Sequence, residues 1–222
     1  MENKRQYKYD NIKCIMIFCV VFAHLLEMLK GNISNKIYIL IYTFHMPIFV
    51  YISGYFSKGN MKSILKFIYI YLIWQTIFYI FDVMVLRTQI KYSLTLPNWT
   101  LWYIFAMIIW NLIIKFSGEI FINNCLYSLI GSIIISLLAG FFNKIGYELC
   151  ASRIITFFPY FLLGYINRNV DIQKFKLKKI YKYKNWIISI FSIIAIGYFI
   201  ENINIIKTFW LYGTYSYEIG RI

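Results

Sequence analysis

The sequence predicts an all-α, polytopic transmembrane helical bundle of about seven spans with a cytoplasmic N-terminus. Three observations carry that expectation. Sixty per cent of the 222 residues are hydrophobic and 21% aromatic, with only 14% charged, far from the balance of a water-soluble domain. The apolar residues gather into runs of about 18 or more, the length needed to cross a hydrocarbon core about 30 Å thick. Short polar, Lys-rich stretches separate these runs and hold most of the net charge of +14. That distribution assigns the charge to membrane topology and argues against a nucleic-acid partner.

The spans fall at roughly 12–29, 37–57, 64–86, 99–116, 120–142, 153–167 and 186–206. They form one integral-membrane domain over 1–222, with no repeat, soluble domain or Pro/Gly-rich linker. The first span follows a basic head, "KRQYK", and precedes no small-residue cleavage site, so it reads as a retained signal anchor. Threading the spans alternately places about two thirds of the 23 Lys and Arg residues on the N-terminal side, which the positive-inside rule makes cytoplasmic. The most basic stretch, "NRNVDIQKFKLKKIYKYKN" from Asn167 to Asn185, reads as a topogenic loop against anionic headgroups; attraction of a polyanion such as coenzyme A is a less specific role for it. Cys14, Cys19, Cys125 and Cys150 show neither metal spacing nor a disulfide framework, so no metal is expected and core packing is their expected role. Richness in Ile, Lys, Asn, Tyr and Phe fits an AT-rich bacterial genome, hence a multi-pass protein of a bacterial cell membrane.

Ionisable residues inside spans are informative because each costs a few kcal/mol at mid-bilayer unless paired or hydrated. At about 100° per residue, Asp10, Lys13, His24 and Glu27 of the first span share one stripe, which should face the bundle interior or a water-filled cavity. Asp10 and Lys13 are spaced to pair near the cytoplasmic end, or to act as an interfacial anchor. His24 lies roughly 18 Å up the first span and His45 roughly 12 Å down the second, so antiparallel helices bring both histidines of the chain to about the same depth. An imidazole there suits a general base for a hydroxyl acceptor; two structural histidines hydrogen-bonded across helices fit the spacing equally. In "YTFHMPIFVYISGYF", Pro47 is expected to kink the helix just after His45. Ser53 and Gly54 permit close approach of a ligand or of another helix.

Gln75 and Asp82 share a face of the third span. Trp99 and Trp102, opening the fourth span in "PNWTLWYIFAM", read as aromatic-belt anchors. "FFPYFLLGY", Phe157 to Tyr165, reads as a short structural span with a C-terminal glycine.

These motifs together resemble the membrane-bound acyltransferase family 3, especially its fucose 4-O-acetylase-like polysaccharide O-acetyltransferases. "KRQYKYDNIKCIMIFCVVFAHLLE" is similar to the family's opening, with Arg5, Asp10, Lys13 and His24 in the matching positions. "FHMPIFVYISGYF" resembles its second signature through His45, Met46, Pro47, Phe49, Ser53 and Gly54. "NWTLWYIFAM" and "FFPYFLLGY" resemble later, weaker ones. The resemblance implies transfer of an acetyl or similar acyl group from acetyl-CoA, or another acyl-CoA, to a hydroxyl of a cell-envelope or exported saccharide. It casts His24 as catalytic base or acyl relay, oriented or charged by Asp10, with His45 in support. Arg5, Lys13, Ser53, Gly54 and Lys58 would meet the donor. Family members carry arginines after the "SGY" element; here Lys58, Lys62 and Lys66 follow it, and lysine lacks the guanidinium fork that binds phosphate in two places. The family bundle has about ten spans, so the chain is expected to be C-terminally truncated. Two other readings remain open from the sequence: a transporter or flippase-like protein whose polar stripe lines a substrate path, and a non-catalytic remnant of the acyltransferase.

Overall fold

The computed structural model describes residues 7–29, 32–85, 87, 93–139 and 150–169. Within them all regular structure is helical: α1 (Tyr7–Met28), α2 (Asn32–Phe56), α3 (Met61–Met84), a 3₁₀ turn (Trp99–Leu101), α4 (Trp102–Asn123), α5 (Cys125–Ala139) and α6 (Ala151–Asn169). The expected span at 186–206 and all but the start of the basic stretch lie outside the described residues. Among the described residues, three helices are long and apolar enough to cross a membrane, Tyr9–Leu26, Met61–Met84 and Trp102–Asn123; Leu40–Phe56 and Cys125–Ala139 are shorter apolar helices.

The first three expected spans and the sixth match α1, α2, α3 and α6 to within a few residues. The fourth and fifth do not. In place of a loop near 117–119, α4 runs on through Lys115, Gly118 and Glu119 to Asn123. Only Asn124 separates it from α5, and helical hydrogen bonding resumes at once: the Asn124 N–H reaches the Ile120 carbonyl at 3.0 Å and the Ser128 N–H reaches the Asn124 carbonyl at 2.9 Å. One residue is shorter than the loops of about 2–5 residues that reverse an αα-hairpin, so α5 leaves α4 at a bend. Asn123 and Asn124 mark the place because their amides compete with helical backbone bonding. The sixth element is also longer than its motif suggested, since α6 passes through Gly164 to Asn169.

α5 shows which solvent these helices are built for. Its buried residues are Ser132, Ser136 and Ala139, while Leu126, Ile130, Ile133, Ile134, Ile135, Leu137 and Leu138 are exposed. A water-soluble helix buries the opposite set. Small residues at i and i+4 facing protein, with branched aliphatics facing out, is the arrangement of helices packed in lipid. The buried hydroxyls of Ser152 and Thr156 come from α6, and Ser136 Oγ donates to the Thr156 carbonyl at 3.2 Å. α1 likewise exposes Ile15, Phe18, Val21, Phe22 and Leu25. Cys14 is exposed on that outward face, which corrects its expected place in the core.

The chain divides into two compact units. One holds α1, α2 and α6 from Tyr160 onward; the other holds α3, the 3₁₀ turn, α4, α5 and α6 up to Pro159. In the first unit α1 packs along α2, and α2 crosses α6 at paired glycines. A Cβ on Gly54 would strike the Phe161 carbonyl, and one on Gly164 would strike the Tyr51 carbonyl. Beside this crossing the Asn167 amide donates to the Tyr51 hydroxyl.

In the second unit α3 and α4 are antiparallel. Ile64 and Tyr71 of α3 form a cluster with Leu101 and Ile108, seven residues apart on each side. Gly59 makes the entry to α3 at φ +58, with Ile114 and Lys115 against it. Asn60 then caps α3, its side-chain oxygen accepting from the Ser63 N–H at 2.9 Å. Trp110, fully buried, donates its Nε1 proton to the Ile154 carbonyl at 3.0 Å.

Candidate active site

α1 is unbroken from Tyr7 to Met28, so its register places every residue of the polar stripe. Asp10, Lys13 and His24 are all half-buried. They lie on the flank of the face that buries Met16, Ala23 and Leu26, between the protein contact and the exposed apolar side. The three share one side of the helix, as their spacing requires, while the side chain of Glu27 lies outside the described residues. The spacing excludes contact between the ends of this stripe. Fourteen residues separate Asp10 from His24, roughly 21 Å along the axis, so Asp10 cannot orient the imidazole by touching it.

The Asp10 end is aromatic and basic. Tyr9 packs on Tyr55, with ring centroids 4.6 Å apart, and meets Phe56 edge-on at 5.5 Å. The Lys13 ammonium sits over the Phe56 ring, 4.4 Å from its centroid, a cation–π geometry that holds the charge without a carboxylate. Arg5 lies outside the described residues.

The histidine end is built on α2. Tyr38, Ile41, Tyr42, His45 and Met46 form its buried stripe at the 3.6-residue period. His45 is only 2% exposed, with the Tyr42 ring edge-on at 5.1 Å. Its Nδ1 lies 2.7 Å from the Ile41 carbonyl oxygen. A carbonyl only accepts, so Nδ1 carries the proton and the neutral ring presents its lone pair on Nε2. Pro47, two residues on and inside α2, cannot supply the N–H that would reach the Thr43 carbonyl.

Counting along both helices from the Tyr9–Tyr55 contact, His24 falls opposite Leu40, five residues or roughly 7 Å from the level of His45. Side chains tilt toward the N-terminus of their own helix, which draws the two rings together from opposite directions. Along the two helices the levels of His24 and His45 thus differ by more than one turn.

The "SGY" element divides its labour. Ser53 Oγ donates to the Phe49 carbonyl of its own helix at 2.9 Å, and Gly54 is taken up by the Phe161 crossing. Gly54 thus serves the helix crossing. Lys58, described with the second unit, is exposed between buried Ser57 and Gly59. Ser57 Oγ donates to Asn111 Oδ1 at 2.8 Å, and Asn111 Nδ2 donates to the Met107 carbonyl at 2.7 Å. That buried pair anchors the stretch presenting Lys58 and had no signal in the sequence beyond a polar residue in an apolar run.

Trp102 was expected in an interfacial belt, yet it is 5% exposed. It packs against Phe157 with centroids 5.6 Å apart and carries the Arg153 guanidinium over its ring at 5.3 Å.

Comparison with known proteins decides the family. Residues 6–219 match the acyltransferase 3 family, described as an acyltransferase domain. The chain belongs to this family. Proteins similar to part of it include two called Nodulation protein NolL. The one from Sinorhizobium fredii is 36% identical over 64 residues, 27% of this chain and 18% of the relative. The one from Mesorhizobium japonicum is 39% identical over 62 residues, 26% of this chain and 17% of the relative. The matched stretch thus spans less than a fifth of either relative's length. No solved structure matches.

Proposed function

We propose that this acyltransferase 3 protein is a membrane O-acyltransferase that moves an acetyl or similar acyl group from acyl-CoA to a hydroxyl of a cell-envelope or exported saccharide. The observation that carries the reading is the half-buried His24, drawn toward a buried His45 whose protonated nitrogen is already committed to Ile41. Family membership supports acyl transfer as the reaction class.

In this reading His24 takes the proton of the acceptor hydroxyl as its oxygen attacks the thioester carbonyl. The C–S bond breaks, and the leaving thiolate receives that proton, giving the ester and free coenzyme A. A base so placed contributes about 10²–10⁴ in rate. His45 supports it as a fixed, oriented neighbour. Lys13 with Tyr9, Tyr55 and Phe56 meets the donor's anionic and ring portions at the other end of α1. A long, narrow donor such as acyl-coenzyme A suits two clusters set along one helix.

The test is O-acetylation of glycan in the producing cell, together with transfer of label from radiolabelled acetyl-CoA. His24→Ala should abolish both while the protein still accumulates. Unchanged acetylation in that variant removes the proposed base, and absence of any label transfer by the unaltered protein returns the stripe to a transport path.

A further inference from the structure

The start of α4 lies far below the end of α3. Tyr71 packs on Phe105 with centroids 5.3 Å apart, and Gly59 faces Ile114, which sets the antiparallel register of the pair. In that register Trp102, the first residue of α4, falls opposite about Trp74. α3 continues ten residues further to Met84, roughly 15 Å. The connection must therefore descend alongside α3 before α4 begins.

Residues Ser93–Asn98 lie beside the middle of α3, well below Met84, and side chains from inside α3 hold them. Gln75, 3% exposed, donates through Nε2 to the carbonyls of Ser93 and Leu96, each at 2.8 Å. Its Oε1 accepts from the Asn98 N–H at 3.1 Å. The Tyr71 hydroxyl donates to the Leu94 carbonyl at 2.8 Å. Gln75 lies nine residues before Met84, roughly 13 Å down the helix.

The segment also satisfies much of its own backbone. Ser93 Oγ accepts from the N–H groups of Thr95 and Leu96 at 3.2 and 3.3 Å. The Asn98 carbonyl accepts from Leu101 at 2.8 Å, and Pro97 has no N–H to satisfy. Meanwhile Leu94 and Leu96 turn outward, 47% and 45% exposed. Irregular backbone survives at membrane depth only where protein or a wet cavity takes up its polar groups. Here protein takes up several of them, and Leu94, Thr95 and Leu96 face outward, the Thr95 hydroxyl 3.0 Å from Ser93 Oγ.

We propose that Ser93–Asn98 is a re-entrant segment seated within the bilayer and stapled there by Gln75, which thereby positions the first turn of α4 with Trp102 and the Arg153 guanidinium over it. Gln75 is a positioning residue. The assignment is independent of the acyl-transfer reading, and either can fail without the other.

The test is depth measured by nitroxide labels in the full chain, reconstituted in phospholipid vesicles after replacement of the four native cysteines by alanine. Labels are attached at Leu96→Cys and, separately, at Met84→Cys, which is also exposed. Their relative accessibility to oxygen and to a water-soluble nickel chelate reads depth. The Leu96 label should lie deeper than the Met84 label by about 10–15 Å, the rise of the intervening turns. Equal or shallower depth overturns the proposal. Adding Gln75→Leu should raise the Leu96 label toward the depth of the Met84 label, whereas Tyr71→Phe, which removes one bond of the four, should move it less. If Gln75→Leu does not fold, Gln75→Glu keeps the acceptor for Asn98 and loses both donations, and an intermediate rise is expected. A folded Gln75 variant that leaves the Leu96 label in place overturns the staple.

Discussion

His45 Nδ1 lies 2.7 Å from the carbonyl oxygen of Ile41, one turn earlier on the same buried stripe. The bond fixes the tautomer. Nitrogen NMR of protein labelled at histidine should therefore show His45 with its proton on Nδ1 and an unprotonated Nε2. A ring protonated only at Nε2 would contradict the geometry.

The roughly 21 Å between Asp10 and His24 separates their kinetic effects. His24→Ala should lower kcat by about 10²-fold or more. Asp10→Asn should act chiefly on KM for the acyl donor, with kcat within about threefold, because it cannot reach the imidazole. Steady-state kinetics over donor concentration distinguish the two. A kcat loss for Asp10→Asn equal to that of His24→Ala would show that the two residues work as one unit.

At the crossing of α2 and α6, neither Gly54 nor Gly164 has room for a methyl group, and the obstacle in each case is backbone. Overpacking of this kind costs about 1–3 kcal/mol. Gly54→Ala and Gly164→Ala should each lower the thermal midpoint in detergent. Because they share one crossing, the double variant should lose less than the sum of the single losses.

The buried Ser57–Asn111 pair makes a second stability prediction. Asn111→Leu removes the acceptor of the Ser57 hydroxyl, which should cost about 1–3 kcal/mol, whereas Ser57→Ala with Asn111→Leu removes both members of the pair and should recover part of the loss. A double-mutant cycle on denaturation midpoints measures the coupling.

α5 can be tested face by face. Ser136→Leu should destabilise the fold by about 1–3 kcal/mol through crowding against α6. Ile134→Lys, on the exposed face, should leave protein packing alone but penalise insertion by about 2.5–3.5 kcal/mol at a mid-helix position, read as loss of membrane-inserted protein. The reverse pattern would mean that α5 faces water.

The helices were legible in the sequence wherever a long apolar run stood alone, as in α1 and α3. The α4–α5 boundary was not, because composition barely changes across Asn123–Asn124 and the chain only bends there. The polar stripe on α1 was legible too, since an unbroken helix turns spacing into direction. Whether its members touch was a matter of axial distance, which a helical wheel discards. Gln75 was visible as a polar residue in an apolar span, but its three partners lie 18 to 23 residues away in a stretch that looked like an ordinary external loop.

By itself the sequence determined a helical membrane protein, the shared helix side of Asp10, Lys13 and His24, and motifs sufficient to indicate the acyltransferase 3 family. Those are properties of local spacing and composition, which survive any packing of the helices. Only the tertiary structure decided that Gly54 is consumed by a helix crossing, that Trp102 is buried under Arg153, and that α4 starts well below the end of α3. Each depends on where a second element sits, and a repeating apolar pattern in lipid allows many such placements; hydrogen bonds and close backbone approaches select one.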